Sequence, residues 1–423
     1  MHERVNRPIY INRLIDYKDK DVVKIVTGIR RSGKSTLLFL FVDHLLENGV
    51  PRENITYMNM ESLRYRELLD HIAFYDYVSG KIKAGEKNYL IFDELQMVSR
   101  WEKAIESFRL DFDVDIYITG SNAYMLSSEF STLLSGRYVE IRVLPLSFQE
   151  FLTFHDFAPG ETIDEKFQKY LQFGGMPVLR QFAFNEARSF EALEGIYSTV
   201  ILRDVLERSR ASDQALLHKL VLFLCGNIGS ITSPNNIGNV LSDEGDIIRA
   251  KMKSGKGVAG KTVDRYIRIL KNAFVFYSAG RYDIKGKQLL KTLEKNYIVD
   301  LGFRNMLLGY RDADRGHILE NVVYLELLRR DYRVYVGKAG ETEIDFVAEK
   351  PSEKLYIQVV ETIMAETTRE RELRPLRIIR DNYEKIIISM DKNYINSYDG
   401  IKSINIIDFL LGRPPQNRHE ISR

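Results

Sequence analysis

The stretch from Val22 to Leu46, VVKIVTGIRRSGKSTLLFLFVDHLL, decides how the chain begins to fold. Val22 to Val26 is short, apolar and β-branched, the pattern of a buried strand. Thr36 to Leu46 reads as a helix. Between them Gly28-Ile29-Arg30-Arg31-Ser32-Gly33-Lys34-Ser35 fills every position of the pattern G-x-x-x-x-G-K-[ST]. The chemistry explains the spacing. The glycines let the backbone curl, so that successive N–H groups from Ile29 to Thr36 face phosphate oxygens. The start of the following helix adds the positive end of its dipole. Lys34 is placed to reach the β- and γ-phosphates, and the Ser35 hydroxyl to ligate Mg²⁺. A glycine turn that matches by chance is the competing reading, and the strand–loop–helix context argues against it.

Two further strands carry polar ends. NYLIFDELQ, from Asn88, sets four apolar or aromatic residues before Asp93-Glu94. Acids at the end of a buried strand are costly unless they have a task. Asp93 is expected to hold Mg²⁺ through water and Glu94 to polarise an attacking water. DIYITGSNAYML, from Asp115, ends its strand in Thr119-Gly120-Ser121-Asn122. Ligands gather at the carboxyl ends of parallel strands, so Ser121 and Asn122 are candidates to sense a γ-phosphate. Strands near Ile55–Met60 and Tyr138–Val143 bring the number to five, with helices between them. Alternating β and α predicts an α/β fold with a parallel, doubly wound sheet.

These pieces resemble the AAA+ ATPases of the ASCE group. More narrowly, the chain resembles a prokaryotic family in which such an ATPase is followed by an uncharacterised C-terminal domain. TGIRRSGKSTLL, IFDELQ with Trp101 after it, ITGSNAYML, LSGRYVEIRVLPLSFQEF, FGGMP and YIVDLGFRN carry the resemblance over most of residues 20 to 310. It implies ATP as ligand, Mg²⁺ as cofactor and a strand order of 5-1-4-3-2. It also implies that Arg137 touches the γ-phosphate, in cis or from a neighbouring subunit. Arg203 and Asp204, on an expected lid helix, are second candidates for that part. A conventional sensor-2 arginine is not visible, which leaves homo-oligomerisation open.

The middle of the chain is basic. From Asp246 to Lys295 there are thirteen Lys or Arg against four Asp or Glu, a local +9 in a chain whose net charge is +2, so the remainder sums to −7. Helical periodicity at Gln214–Cys225, Asn236–Leu241 and GKTVDRYIRILKNA, followed by two extended runs around a charged tip, outlines a winged helix. Thr262 is the expected N-cap of the third helix, whose apolar face is Val263, Tyr266, Ile267 and Leu270. Lys261, Arg265, Arg268 and Lys271 then form a positive face, with Lys285 and Lys287 at the tip and a KMKSGKGVAGK loop ahead. That is an electrostatic footprint for nucleic acid. A protein-binding winged helix with solvated lysines is the alternative.

From Gly316 the order reads helix, three strands, helix, strand, matching the core of PD-(D/E)xK nucleases. Glu320 and Asp345 fit two carboxylate positions. Gln358 stands where the third carboxylate belongs, and Val360 where the lysine belongs. A degenerate site that cuts nothing is therefore expected, unless Lys338 or Lys350 moves in. The divisions anticipated are 1–160 (ATPase), 161–212 (helical lid), 213–310 (basic winged helix) and 311–423 (nuclease-like α/β). One cysteine, Cys225, excludes an intrachain disulfide and suggests a reducing, cytoplasmic home. No apolar run is long enough for a membrane span. The leading expectation is a Mg²⁺-dependent ATPase that acts on or senses nucleic acid, its last domain a non-catalytic binding module. A nucleotide-controlled switch with a protein partner and an ATP-gated nuclease are the alternatives.

Overall fold

A computed structural model describes residues 5–126, 136–207, 213–243, 258–310, 315–392 and 395–413. The chain forms two compact units, Met1–Pro145 with Asn272–Phe274, and Leu146–Lys271 with Val275–Arg423.

The first unit is built on five strands: β1 (Val23–Thr27), β2 (Ile55–Asn59), β3 (Asn88–Asp93), β4 (Val114–Gly120) and β5 (Tyr138–Arg142). All neighbours are parallel, in the order β2-β3-β4-β1-β5. Successive side chains point to opposite faces, and the apolar residues sort accordingly. Val23, Ile25, Leu90, Phe92, Ile116 and Ile118 pack with Phe74, Trp101, Ile105 and Phe108. Val26, Tyr89, Ile91, Tyr117 and Ile141 pack with Tyr10, Leu14, Leu38 and Phe41. Both faces are covered, so the strands read as near-continuous apolar runs. Lys24 is the exception. Its ammonium is fully buried but paired with Asp115 and bonded to the Lys20 carbonyl at 3.0 Å, the partnering that burial of a charge demands.

The second unit opens with two helices, Phe148–Phe154 and Ile163–Phe173. Each starts on a capping box, Ser147 with Glu150 and Thr162 with Glu165. Helices Glu186–Thr199, Gln214–Gly226, Pro234–Asp243 and Gly260–Asn272 follow. The last begins at Gly260, so Thr262 lies inside it rather than capping it. The strands of this unit are β6 (Ile231–Thr232), which precedes helix Pro234–Asp243, then β7 (Phe276–Asp283), β8 (Gln288–Ile298), β9 (Arg333–Ala339), β10 (Thr342–Lys350), β11 (Glu353–Val359), β12 (Glu384–Ser389), β13 (Ser397–Tyr398) and β14 (Ile401–Asn405). They form one mixed sheet, β13-β14-β12-β11-β10-β9-β7-β8-β6. The β7–β8 hairpin, expected as a free wing, is internal to this sheet. β7 pairs antiparallel with β8 on one edge and parallel with β9 on the other. A hairpin bonded on both sides cannot be parted from the strands after it; segments 161–212 and 311–423, and 213–310 apart from Asn272–Phe274, fall within one unit. Helices Leu301–Leu308, Arg315–Arg329 and Glu366–Ile378 complete this unit's longer helices. No helix of the described residues is long and apolar enough to cross a membrane.

Candidate phosphate-binding site

The loop after β1 has the backbone that its sequence requires. Gly28 has φ 140°, and a Cβ there would lie 2.2 Å from the Val143 carbonyl oxygen. Only glycine lets β1 turn this close to the end of β5. Gly33 has φ 100° and precedes the helix Lys34–Glu47, whose first turn has no side-chain cap. Its leading N–H groups can meet an anion. Lys34 is buried and folds back, donating to the Gly28 and Ile29 carbonyls at 2.9 and 3.1 Å. Ser35 is half-buried, Thr36 and Arg31 are exposed, Ile29 is buried, and Arg30 bridges to Glu61 at 3.0 Å. The Ser32 hydroxyl is buried without a hydrogen-bond partner. A buried hydroxyl of this kind is one that a bound acceptor would satisfy.

Arg7 was not legible as part of this site. It is 4% exposed, donates to the Ser32 carbonyl at 2.9 Å and to the Leu144 carbonyl at 2.9 Å, and stacks over Tyr10 at 4.5 Å. It ties the underside of the loop to the segment after β5. Only its position just before a Pro-initiated helix marked it in the sequence.

At the end of β3, Asp93 is fully buried. It accepts from Asn59 at 2.8 Å, Tyr57 at 3.2 Å and Thr119 at 2.5 Å. Every one of these donors is neutral. A buried carboxylate whose hydrogen-bond donors are all neutral suits a cation. The chemistry of this donor set fits a carboxylate that would hold Mg²⁺. Glu94, at φ 54°, turns out of the strand. Its N–H donates to Thr119 Oγ1 at 2.9 Å, and its carboxylate accepts from Gln96 and, at 3.5 Å, from Ser121. Ser121 and Asn122 are both buried. Thr119, from the same polar cluster, holds both acids in place, while Ser121, the first of the two sensor candidates, reaches Glu94.

Arg137 does not join this group. It immediately precedes β5 and its carbonyl accepts from Val23 N at 3.0 Å, at the start of β1. Five register positions, about 16 Å, separate it from Arg142, the partner of Thr27 beside the loop. An arginine side chain cannot span that, so the cis role fails. Of the lid candidates, Asp204 is buried, and the Arg203 side chain lies outside the described residues.

The positive face of helix Gly260–Asn272 is only partly available. Lys261, Arg265 and Arg268 are exposed, but Arg268 bridges Asp264 at 2.9 Å and the half-buried Lys271 bridges Glu294 at 3.1 Å. Most of the loop ahead, 251–257, lies outside the described residues.

In the second unit Glu320 and Asp345 do come together, but around Lys295 of β8, which contacts both at 2.9 and 3.3 Å and Glu343 at 2.9 Å. Neither Lys338 nor Lys350 supplies the cation. Lys338 faces Glu343 across the β9–β10 ladder, and Lys350 sits over the Tyr332 ring. Gln358 accepts from the Asp345 N–H at 3.3 Å and donates to Glu372 at 2.9 Å. Burial, then the Glu320 charge, push Asp345 up to about 7. Burial opposes the Lys295 ammonium, yet the three carboxylates hold its pKa above the ordinary lysine value.

An AAA domain model matches residues 20–152, and the model of a domain of unknown function matches residues 164–314. An uncharacterized protein of Haemophilus influenzae is 40% identical over 96% of this chain and 98% of its own length. A Methanocaldococcus jannaschii protein is 28% identical over 93% of the chain and 83% of its own. A Walker-type ATPase of Pyrococcus abyssi, 16% identical, covers 71% of the chain and 95% of its own with a TM-score of 0.49. Matched nearly end to end by the Haemophilus relative, and carrying an AAA domain around its phosphate loop, the chain belongs to that relative's family of AAA-domain proteins.

Proposed function

We propose that the first unit binds ATP on the Gly28–Thr36 loop and hydrolyses it. The observation that carries this reading is Asp93. It is a fully buried carboxylate at the carboxyl end of β3, with Asn59, Tyr57 and Thr119, all neutral, donating to it, in the same parallel sheet whose β1 ends in the loop. In this reading the loop amides and the Ser32 hydroxyl take phosphate oxygens, and Lys34 leaves the Gly28 and Ile29 carbonyls for the β- and γ-phosphates. Ser35 and Asp93 hold Mg²⁺, which when bound neutralises charge on those phosphates. Glu94, which accepts from Gln96 and Ser121, orients a water and accepts its proton. Arg137, exposed at the far end of β5, is left for a neighbouring copy's nucleotide.

Lys34→Ala should abolish tight nucleotide binding, read with a fluorescent ATP analogue. Glu94→Gln should keep that binding and lose about a hundredfold or more in phosphate release, the size of a general-base contribution. Wild-type affinity in Lys34→Ala would overturn the loop assignment.

We further propose that turnover is coupled to nucleic acid through the exposed Lys261, Arg265 and Arg268. Steady-state hydrolysis with and without DNA separates this from a nucleotide switch with a protein partner. Stimulation by DNA supports the first, and slow turnover indifferent to DNA supports the second.

A further inference from the structure

Three carboxylates from two elements converge in the second unit. Glu320 comes from helix Arg315–Arg329, and Glu343 and Asp345 from the same face of β10. At the point where they meet stands an amine. Lys295 Nζ lies 2.9 Å from Glu320 Oε1, 2.9 Å from Glu343 Oε1 and 3.3 Å from Asp345 Oδ1, with its side chain 5% exposed. An ammonium has three protons, and here three carboxylates stand around it.

Two of the carboxylates have further partners. The Tyr297 hydroxyl donates to Glu320 Oε1 at 2.6 Å, and His317 Nδ1 lies 3.6 Å from Glu320 Oε2. The Val359 N–H donates to Asp345 Oδ2 at 2.9 Å. Gly229, at φ 70°, backs onto the group, and a Cβ there would lie 3.0 Å from His317 Nδ1 and 3.1 Å from Glu320 Oε2. Carboxylates gathered this closely, with Glu320 and Asp345 buried and Glu343 half-buried, call for a shared cation. Oxygen ligands of this kind close on Mg²⁺ at about 2.0–2.1 Å or on Ca²⁺ at about 2.3–2.6 Å. The centre they surround is taken by nitrogen, at hydrogen-bonding distances.

We infer that Lys295 is the resident cation of this cluster, standing where a divalent metal would otherwise bind, so that the Glu320–Glu343–Asp345 site is complete and closed without metal. The neutral Gln358 fits this assignment. It bonds to the Asp345 backbone and to Glu372, and adds no further charge for a single ammonium to balance. Val360 needs no lysine in its place, because β8 supplies one. The inference does not depend on nucleotide turnover in the first unit.

The test is Mn²⁺ binding to the nucleotide-free full chain, followed by electron paramagnetic resonance and calorimetry. Wild type should show no saturable Mn²⁺ site that Asp345→Asn removes. Lys295→Met should gain one Mn²⁺ per chain, with affinity at least about tenfold above any wild-type binding, as expected when hard oxygen ligands lose their internal cation. The double variant Lys295→Met, Asp345→Asn should lose that site, which assigns it to this cluster and not to the phosphate loop. Lys295→Arg should stay closed. A folded Lys295→Met chain that gains no Mn²⁺ overturns the inference. Should Lys295→Met fold only when Mn²⁺ is present, the inference stands. Should it not fold at all, the wild type decides: a stoichiometric Mn²⁺ site lost in Asp345→Asn overturns the inference, and its absence supports it.

Discussion

Thr119 shows how much one hydroxyl does at the phosphate-binding end of the first sheet. It donates to Asp93 at 2.5 Å and accepts from the Glu94 N–H at 2.9 Å, all three groups being buried. Thr119→Val keeps the shape and removes both bonds. The Glu94 N–H is then buried unpaired, at a cost of about 1–3 kcal/mol. The variant should melt lower, keep nucleotide binding through Lys34, and hydrolyse more slowly because Glu94 loses its anchor. Thr119→Ser should restore both stability and rate. Thermal unfolding beside phosphate release checks this, and a Thr119→Val enzyme as fast and as stable as wild type would refute it. The contrast with Arg7 and Lys295 shows what a sequence can disclose at this scale. Gly28 to Ser35 were readable because their work is local: eight consecutive residues carry the loop. Arg7 acts on carbonyls 25 and 137 residues away, and Lys295 on carboxylates 25 and 50 residues away. No periodicity or spacing connects such partners before the chain is folded.

Among the elements, the helix Gly260–Asn272 carries the most consequence for partners. Its buried side is Val263, Tyr266, Ile267, Ile269 and Leu270, a pattern the 3.6-residue period makes readable. Lys261, Arg265 and Arg268 are left outside. Reversing Arg265 and Arg268 to Glu should abolish binding of labelled DNA at low salt. In a single reversal, the slope of log affinity against log salt should fall by about 0.9 for each duplex phosphate that is no longer neutralised. Breaking the exposed Arg268–Asp264 pair should cost little stability, since such pairs contribute about 0–1 kcal/mol. Fluorescence anisotropy across a salt series, with circular dichroism to verify folding, measures both. A folded wild-type chain that shifts neither duplex nor single strand at low salt would count against the reading. The helix and the hairpin after it were legible as elements, but their place in the fold was not. Alternation fixes which side of β7 faces the core and says nothing of which strand lies beside it. The parallel pairing with β9 joins residues 281–283 to residues 336–338 and turns an expected wing into the middle of a sheet.

At the scale of the whole chain, stability against pH is set by buried acids and bases, and Asp300 offers the cleanest test. It joins two motifs far apart in sequence, accepting from the Gly175 N–H at 2.6 Å and the Gly302 N–H at 2.9 Å. The junction admits only glycine at two places. A Cβ on Gly174 would lie 2.1 Å from Asp300 Oδ1, and one on Gly302 would lie 2.2 Å from the Phe173 carbonyl oxygen. Burial pushes the Asp300 carboxyl up to about 7 from 3.8, against the N–H donors of Gly175, Gly302 and Phe303 that favour its ionised form. The sign follows from proton counting. Between about 4 and about 7 the folded chain holds a proton that the unfolded chain has released. Stability from this group is therefore full below about 4, falls as pH rises to about 7, and is level above, a loss of at most on the order of 4 kcal/mol. Asp345, also raised to about 7, acts in the same direction. His155, held down to about 4 by burial, acts in the opposite one, losing stability as pH falls through the range between 6.5 and 4. Only a difference between variants isolates Asp300. Asp300→Asn should be less stable than wild type at pH 5, because an amide cannot accept at both positions, and the gap should narrow by pH 8. Urea unfolding of both proteins at the two pH values measures it. A gap that widens with pH would mean that the backbone donors hold Asp300 ionised in the folded chain, and that burial does not dominate there.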